Sequence, residues 1–297
     1  MECAMPSFSA SVLRWLMKYR PFPDNVPFAQ QRDIMERMMG VFPGPKQNRY
    51  EDTMIGKIPC LWMTPPNATQ QVMLYFHGGA YTLGSQHTER PLAGHIALQS
   101  QARILIPHYA LAPEQPFPAA IDDALACYQF LLNSGIAPQQ IVVGGLSAGG
   151  GLTMALLLRL RELGMPMPRA AVLISAWLDL TGEAPSVAQN TPHDSGVSWK
   201  LLAPSVVAYA GTEDVKHPLI SPVFADPTGL PPLLIQVGGA EILLDDSRVT
   251  ADKAQAAGVN VTLSIYPDMI HGWHLFRFVP EARRAIREIA DFIRANT

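Results

Sequence analysis

Seven short apolar runs recur in this 297-residue chain, several of them almost continuously apolar, and helical patterns separate them. The runs are Lys57–Met63, Val72–Phe76, Arg103–Pro107, Ile141–Gly145, Ala171–Ser175, Leu233–Val237 and Val261–Tyr266. A strand with one wet face alternates polar and apolar residues, whereas a strand covered on both faces does not. The helical patterns fall at His87–Gln99, Ala119–Asn133, Ala148–Leu163, Leu244–Ala257 and Glu281–Ala295, with Gly164 and Gly258 as C-caps of two of them. This alternation predicts an α/β chain: a mostly parallel sheet with helices on both faces. The 48% of hydrophobic residues is ample for such a core.

Two segments break the rhythm. Near the N-terminus, Ser11–Tyr19 and Ala29–Met39 read as amphipathic helices separated by Pro21, Pro23 and Pro27 and closed by Pro43-Gly44-Pro45. Met5, Met17, Met35, Met38 and Met39 concentrate there, as ordinary packing or as an adaptable pocket wall, with packing the favoured reading. The second break separates the runs ending at Ser175 and starting at Leu233, far longer than the usual connection of about 2–6 residues. It carries a helical pattern at Ser198–Tyr209, and an insertion of this kind is often a functional cover. The expectation is that it pairs with the N-terminal helices. The charge of −3, from 22 basic and 25 acidic residues, argues against nucleic acid or anionic membranes as partners. Cys3, Cys60 and Cys127 form neither a metal spacing nor a disulfide framework. No run reaches the roughly 20 apolar residues of a membrane span. The stretch Val12–Met17 is broken by Arg14 and lacks a secretory pattern. A cytoplasmic location is the expectation.

The strongest motif is Gly145-Leu146-Ser147-Ala148-Gly149, a G-x-S-x-G where a buried strand meets a helix. A serine in such a tight turn projects above the sheet, over helical N–H groups that favour developing negative charge. A phosphate-binding turn would need a P-loop lysine or a G-x-G-x-x-G pattern, and Ser147 has neither around it. The second motif, His77-Gly78-Gly79-Ala80, follows the strand Val72–Phe76. The amides of Gly78 and Gly79, with that of Ala148, would form an oxyanion hole, and His77 would brace the loop. A general base must come late in the chain, at His271 or His274; Gly272 favours His271 by letting the loop turn back over the sheet. Glu241, Asp245 and Asp246 are candidate acids. Position favours Glu241, because the two aspartates open the next helix, where acids are common.

Together these motifs resemble the hormone-sensitive-lipase-like bacterial esterases of the α/β-hydrolase superfamily, over nearly the whole chain. The resemblance extends through Tyr109–Ala120, with its Ala112-Pro113-Glu114-Gln115-Pro116 core, Pro218–Pro222 and Leu230-Pro231-Pro232. It implies an eight-stranded core over residues 46–178 and 226–297, under a helical cap from residues 1–45 and 179–225. It carries the nucleophile to Ser147, the base to His271 and the acid to Glu241, with Asp245 as a second, structural acid. Three departures stand out: Glu241 and Leu146 where the family usually has aspartate, and Ala80 in place of a third glycine. The implied activity is hydrolysis of short- to medium-chain acyl esters through an acyl-enzyme, without metal or organic cofactor. Amidase or lactonase chemistry on the same scaffold is an alternative. So is a non-catalytic receptor, although such relatives lack the histidine. Tyr81, Leu83, Trp199, Leu202 and Trp273 are candidate pocket residues, although for each taken alone core packing is the favoured reading. The partner is a small-molecule ester, and the resemblance allows a homodimer through the final strand.

Overall fold

The computed structural model describes residues 7–18, 23 and 26–296. Its strands are β1 (Arg49–Ile55), β2 (Ile58–Thr64), β3 (Val72–Phe76), β4 (Arg103–Pro107), β5 (Ile141–Leu146), β6 (Ala170–Ile174), β7 (Leu233–Gly238) and β8 (Val261–Tyr266). They form one sheet in the order β1-β2-β4-β3-β5-β6-β7-β8. Only β2 runs antiparallel to its neighbours, and every other pair is parallel. This is the expected eight-stranded, mostly parallel sheet.

The described helices are α1 (Phe8–Lys18), α2 (Phe28–Gly40), α3 (Arg90–Ser100), α4 (Ala119–Asn133), α5 (Ala148–Glu162), α6 (Pro185–Asn190), α7 (Trp199–Ala210), α8 (Leu244–Ala256) and α9 (Pro280–Ala295). Alternate residues of β3 explain why its run is continuously apolar. Val72, Leu74 and Phe76 join the core with α4, α5 and α8, whereas Met73 and Tyr75 join the core with α3 and α9. Every residue of β3, β5, β6 and β7 is buried. At roughly 1.5–3 kcal/mol per large apolar side chain, both faces of these strands stabilise the sheet.

β1 has no counterpart among the seven apolar runs. It is an edge strand, Arg-Tyr-Glu-Asp-Thr-Met-Ile, largely exposed and paired only with β2. Gly56, at φ 59°, opens the two-residue turn between them, where a left-handed residue fits the strand twist. The long connection 175–232 holds α7, as expected, and the short α6. Ser198 caps α7 by accepting from the Leu201 N–H at 3.3 Å. Both N-terminal helices dock on the body. Ala10 and Leu13 of α1 pack with Met269, Ile270 and Trp273, and Ser7 donates twice to the Glu281 carboxylate, at 2.8 and 2.9 Å. From α2, Arg32 donates to the carbonyls of Thr82 and Ala112 and to both carboxylate oxygens of Glu114. Tyr19, Met5 and Cys3 lie outside the described residues. Among those described, no helix is long and apolar enough to cross a membrane.

β5 runs straight into α5, which brings three backbones together where β3 ends. A Cβ on Gly145 would meet the Gly149 and Phe76 carbonyl oxygens at 2.5 Å, and one on Gly149 would overlap the Phe76 carbonyl outright. Gly149→Ala should therefore destabilise the chain by about 3 kcal/mol or more, since neither backbone can yield. Urea unfolding reads this directly; an unchanged midpoint would show that the crossing is looser than described.

Candidate active site

Ser147 occupies the single residue between β5 and α5, at φ 57° and ψ −120°. A side chain in this region costs roughly 1–3 kcal/mol, so the surroundings must over-determine it. They do. The Ser147 N–H donates to the Ile174 carbonyl at 2.9 Å, and the Ser147 carbonyl accepts from the N–H groups of Gly150, Gly151 and Trp177. The side chain stands at the floor of a cavity of about 190 Å³.

His271 lines the same cavity. It follows β8 on a loop turned by Gly272, whose φ is 70°. Its Nδ1–H donates to Oε2 of Glu241 at 2.9 Å, which leaves Nε2 as the free ring nitrogen. Glu241 lies just past β7 and is fully buried. Its other oxygen accepts from Ser175 Oγ at 2.7 Å and from the Gly238 N–H at 2.6 Å. Burial opposes charge on His271. The hydrogen bond and charge of Glu241, with the charges of Asp194 and Glu89, outweigh it and raise the imidazole pKa above its ordinary value. His274 is different: it is buried, its Nε2 pairs with the Gln236 side chain at 3.1 Å, and burial lowers its pKa well below the usual range.

Asp245 and Asp246 take other duties. Asp246 is buried and accepts from the N–H groups of Leu178 and Asp179, both at 2.8 Å. Asp245 accepts from the Ser186 N–H and pairs with Arg248. Neither bonds His271.

The loop after β3 is left-handed at three successive residues, with φ of 121° at Gly79, 55° at Ala80 and 62° at Tyr81. His77 braces it: the Nδ1–H donates to the Gly78 carbonyl at 2.8 Å, and the ring stacks on Tyr109 with centroids 4.1 Å apart. Burial lowers the His77 pKa to about 3, so the ring is neutral. One expected donor is not available. The Gly78 N–H is taken by Oε1 of Glu89 at 3.2 Å, while no described residue accepts from Gly79 N or Ala80 N. The loop thus offers the amides of Gly79 and Ala80 rather than Gly78 and Gly79, with Ala148 following Ser147.

The cavity walls also differ from expectation. Leu83 and Leu202 line them, but Tyr81, Trp199 and Trp273 do not. Tyr81 is stacked flat on Tyr209, with centroids 3.8 Å apart. Trp273 is fully buried against His274, and Trp199 packs over Gly182. The walls are Met17, Met35, Met38 and Met39 from the N-terminal helices, with Val197 and Leu201 opposite. The favoured packing reading of this methionine cluster therefore gives way to a pocket wall for these four. Leu146 adds apolar surface beside Gly78.

Asp194 was not marked by the sequence. It is buried in the insertion and accepts from three backbone N–H groups: its near neighbour Gly196, Ile242 beside Glu241, and His271 itself. Burial, reinforced by the charge of Glu241 and partly offset by His271, pushes its pKa to about 6. It lies in Pro192-His193-Asp194-Ser195-Gly196, a stretch with no periodicity or motif to single it out.

A family model for the α/β hydrolase fold matches residues 73–275. An acetyl-hydrolase from Streptomyces hygroscopicus is 40% identical over 260 residues, covering 87% of this chain and 85% of the relative. An esterase from Acinetobacter venetianus is 36% identical over 288 residues, covering 96% and 94%. The solved structure of an esterase from the bacterial hormone-sensitive lipase family superposes with a TM-score of 0.94, at 38% identity over 99% of both chains. A hormone-sensitive lipase from a metagenome library gives 0.94 at 39% identity, again over 99% of both. The chain belongs to the α/β-hydrolase family, among its hormone-sensitive-lipase-like esterases, and is a serine carboxylesterase.

Proposed function

We propose that this chain hydrolyses esters of short to medium acyl chains through a Ser147–His271–Glu241 triad. The observation that carries the reading is the Glu241–His271 hydrogen bond at a cavity floored by Ser147. His271 Nε2 takes the Ser147 proton as Oγ attacks the ester carbonyl. The amides of Gly79, Ala80 and Ala148 hold the oxyanion. His271 then protonates the leaving alcohol, and water repeats the sequence on the acyl-enzyme. Glu241 fixes the tautomer and stabilises the imidazolium.

The acyl-length reading draws support from the small methionine-walled cavity and from relatives named acetyl-hydrolase and esterase. Thioether side chains can re-pack around acyl groups of different length. Residues 1–45 and 179–225 would serve as the cap. The four described cavity methionines, the Arg32 anchor and the Asp194 contacts support that role. The buried free thiols of Cys60 and Cys127 fit a cytoplasmic setting. β8, a sheet edge, is the surface for a homodimer.

Ser147→Ala should lower kcat on p-nitrophenyl butyrate by about 10⁴-fold or more. Retained turnover would remove Ser147 from the mechanism. Glu241→Ala should lose about 10³- to 10⁴-fold, whereas Asp245→Ala stays within about tenfold; the reverse ranking would assign the acid elsewhere. Catalysis requires neutral His271, so the acid limb of kcat/KM should lie above pH 6.5 and move down in Glu241→Gln, where burial dominates. An unmoved limb would contradict this pairing. Asp194→Ala strands three backbone N–H groups, one of them in a fully buried hydrogen bond, and an unsatisfied buried donor costs about 1–3 kcal/mol. Both kcat and the melting temperature should fall; full turnover would show that the His271 loop does not depend on Asp194.

A further inference from the structure

Glu89 is a buried carboxyl in the wall of the Ser147 cavity. It stands at the N-cap position of α3, where side chains usually bond the first N–H groups of their own helix. Its side chain makes no such bond. Instead, Oε1 accepts from the Gly78 N–H at 3.2 Å and Oε2 from the Tyr75 hydroxyl at 3.0 Å. Both acceptors of the carboxyl are thereby spent on β3 and on the loop that follows it.

The consequence is geometric. Gly78 is the last residue before the left-handed stretch Gly79-Ala80-Tyr81. Fixing the peptide plane that ends in the Gly78 N–H fixes where the next two peptide planes start. Those planes carry the N–H groups of Gly79 and Ala80, which no described residue accepts. On the other side, the His77 ring holds the Gly78 carbonyl. The Gly78 residue is thus gripped at both its N–H and its C=O.

We propose that Glu89 is a positioning residue that aims the oxyanion donors of Gly79 and Ala80 by anchoring the Gly78 amide. This rests on the esterase reading above and deepens it. Burial raises the Glu89 pKa to about 7, with the Gly78 N–H, the Tyr75 hydroxyl and the His271 charge opposing. Tyr75, Tyr109 and His271 are the titratable groups that face it. Acid and carboxylate forms both keep an oxygen that can accept from Gly78, so the anchor works in either state.

Glu89→Gln retains an acceptor, whereas Glu89→Met keeps the length and removes it. With p-nitrophenyl butyrate, the methionine variant should lose about 10- to 100-fold in kcat, with KM changed less than about threefold. Its Ki for a trifluoromethyl ketone, which forms the tetrahedral adduct, should rise by a similar factor. The glutamine variant should stay within about threefold of the parent on all three readouts. Parent-like kcat in Glu89→Met, or a loss in Glu89→Gln equal to that in Glu89→Met, would overturn the proposal. Should Glu89→Met not fold, amide hydrogen exchange of the unmodified protein decides. The Gly78 amide should be protected like those of β3, and Gly79 and Ala80 should exchange much faster; equal exchange at all three would refute the anchor. Stoichiometric phosphonylation of Ser147 with parallel loss of activity in the unmodified protein separates the two failures, because inactivation without a Ser147 adduct would count against the acyl-enzyme reading and not against Glu89.

Discussion

The site depends on a backbone crossing in which no side chain fits. β3, β5 and α5 meet where Gly145 and Gly149 approach the Phe76 carbonyl, and the turn between strand and helix has room for one residue. That residue is Ser147, held left-handed by one donated and three accepted backbone hydrogen bonds. The strain is local, and the parallel sheet absorbs it. β5 is buried between β3 and β6, so it cannot shift to relieve the turn. The same crossing fixes the loop after β3 beside the serine.

Around that turn the electrostatics are a balance of burial against charge. His271 would lose its proton affinity on burial alone, and Glu241, Asp194 and Glu89 restore it. Two of these carboxyls are themselves raised by burial, Asp194 to about 6 and Glu89 to about 7. Each has a second task that requires only an oxygen acceptor. Asp194 joins the insertion to the loops of Glu241 and His271, and Glu89 joins α3 to the loop after β3. The groups that tune His271 are therefore also the groups that hold the loops.

What the sequence reveals follows from how each interaction is written into it. β3, β5, β6 and β7 are legible because burial on two faces leaves an uninterrupted apolar run. β1 is not, since an exposed edge strand carries Glu51 and Asp52 at no distinguishing period. Ser147 is legible because its backbone demands glycines at fixed offsets. Which amides of the loop are left free is not legible, because nothing in His-Gly-Gly-Ala says which way each one turns; the Gly78 N–H is taken by Glu89, 11 residues on. Asp194 meets its partners 48 and 77 residues away, so no local pattern marks it. A methionine stripe at helical spacing looks the same facing a core or a cavity. Tyr81 and Trp273 show the converse: aromatics beside a motif, packed in the core against Tyr209 and His274.

If the strained turn makes Ser147 the nucleophile, a serine-directed phosphonate will label that side chain and no other. Peptide mapping by mass spectrometry after incubation with a p-nitrophenyl alkylphosphonate shows where the label goes. One phosphonyl adduct per chain is expected, on Ser147, formed in step with loss of esterase activity. Inactivation with Ser147 unmodified, or an adduct on another side chain, would contradict it.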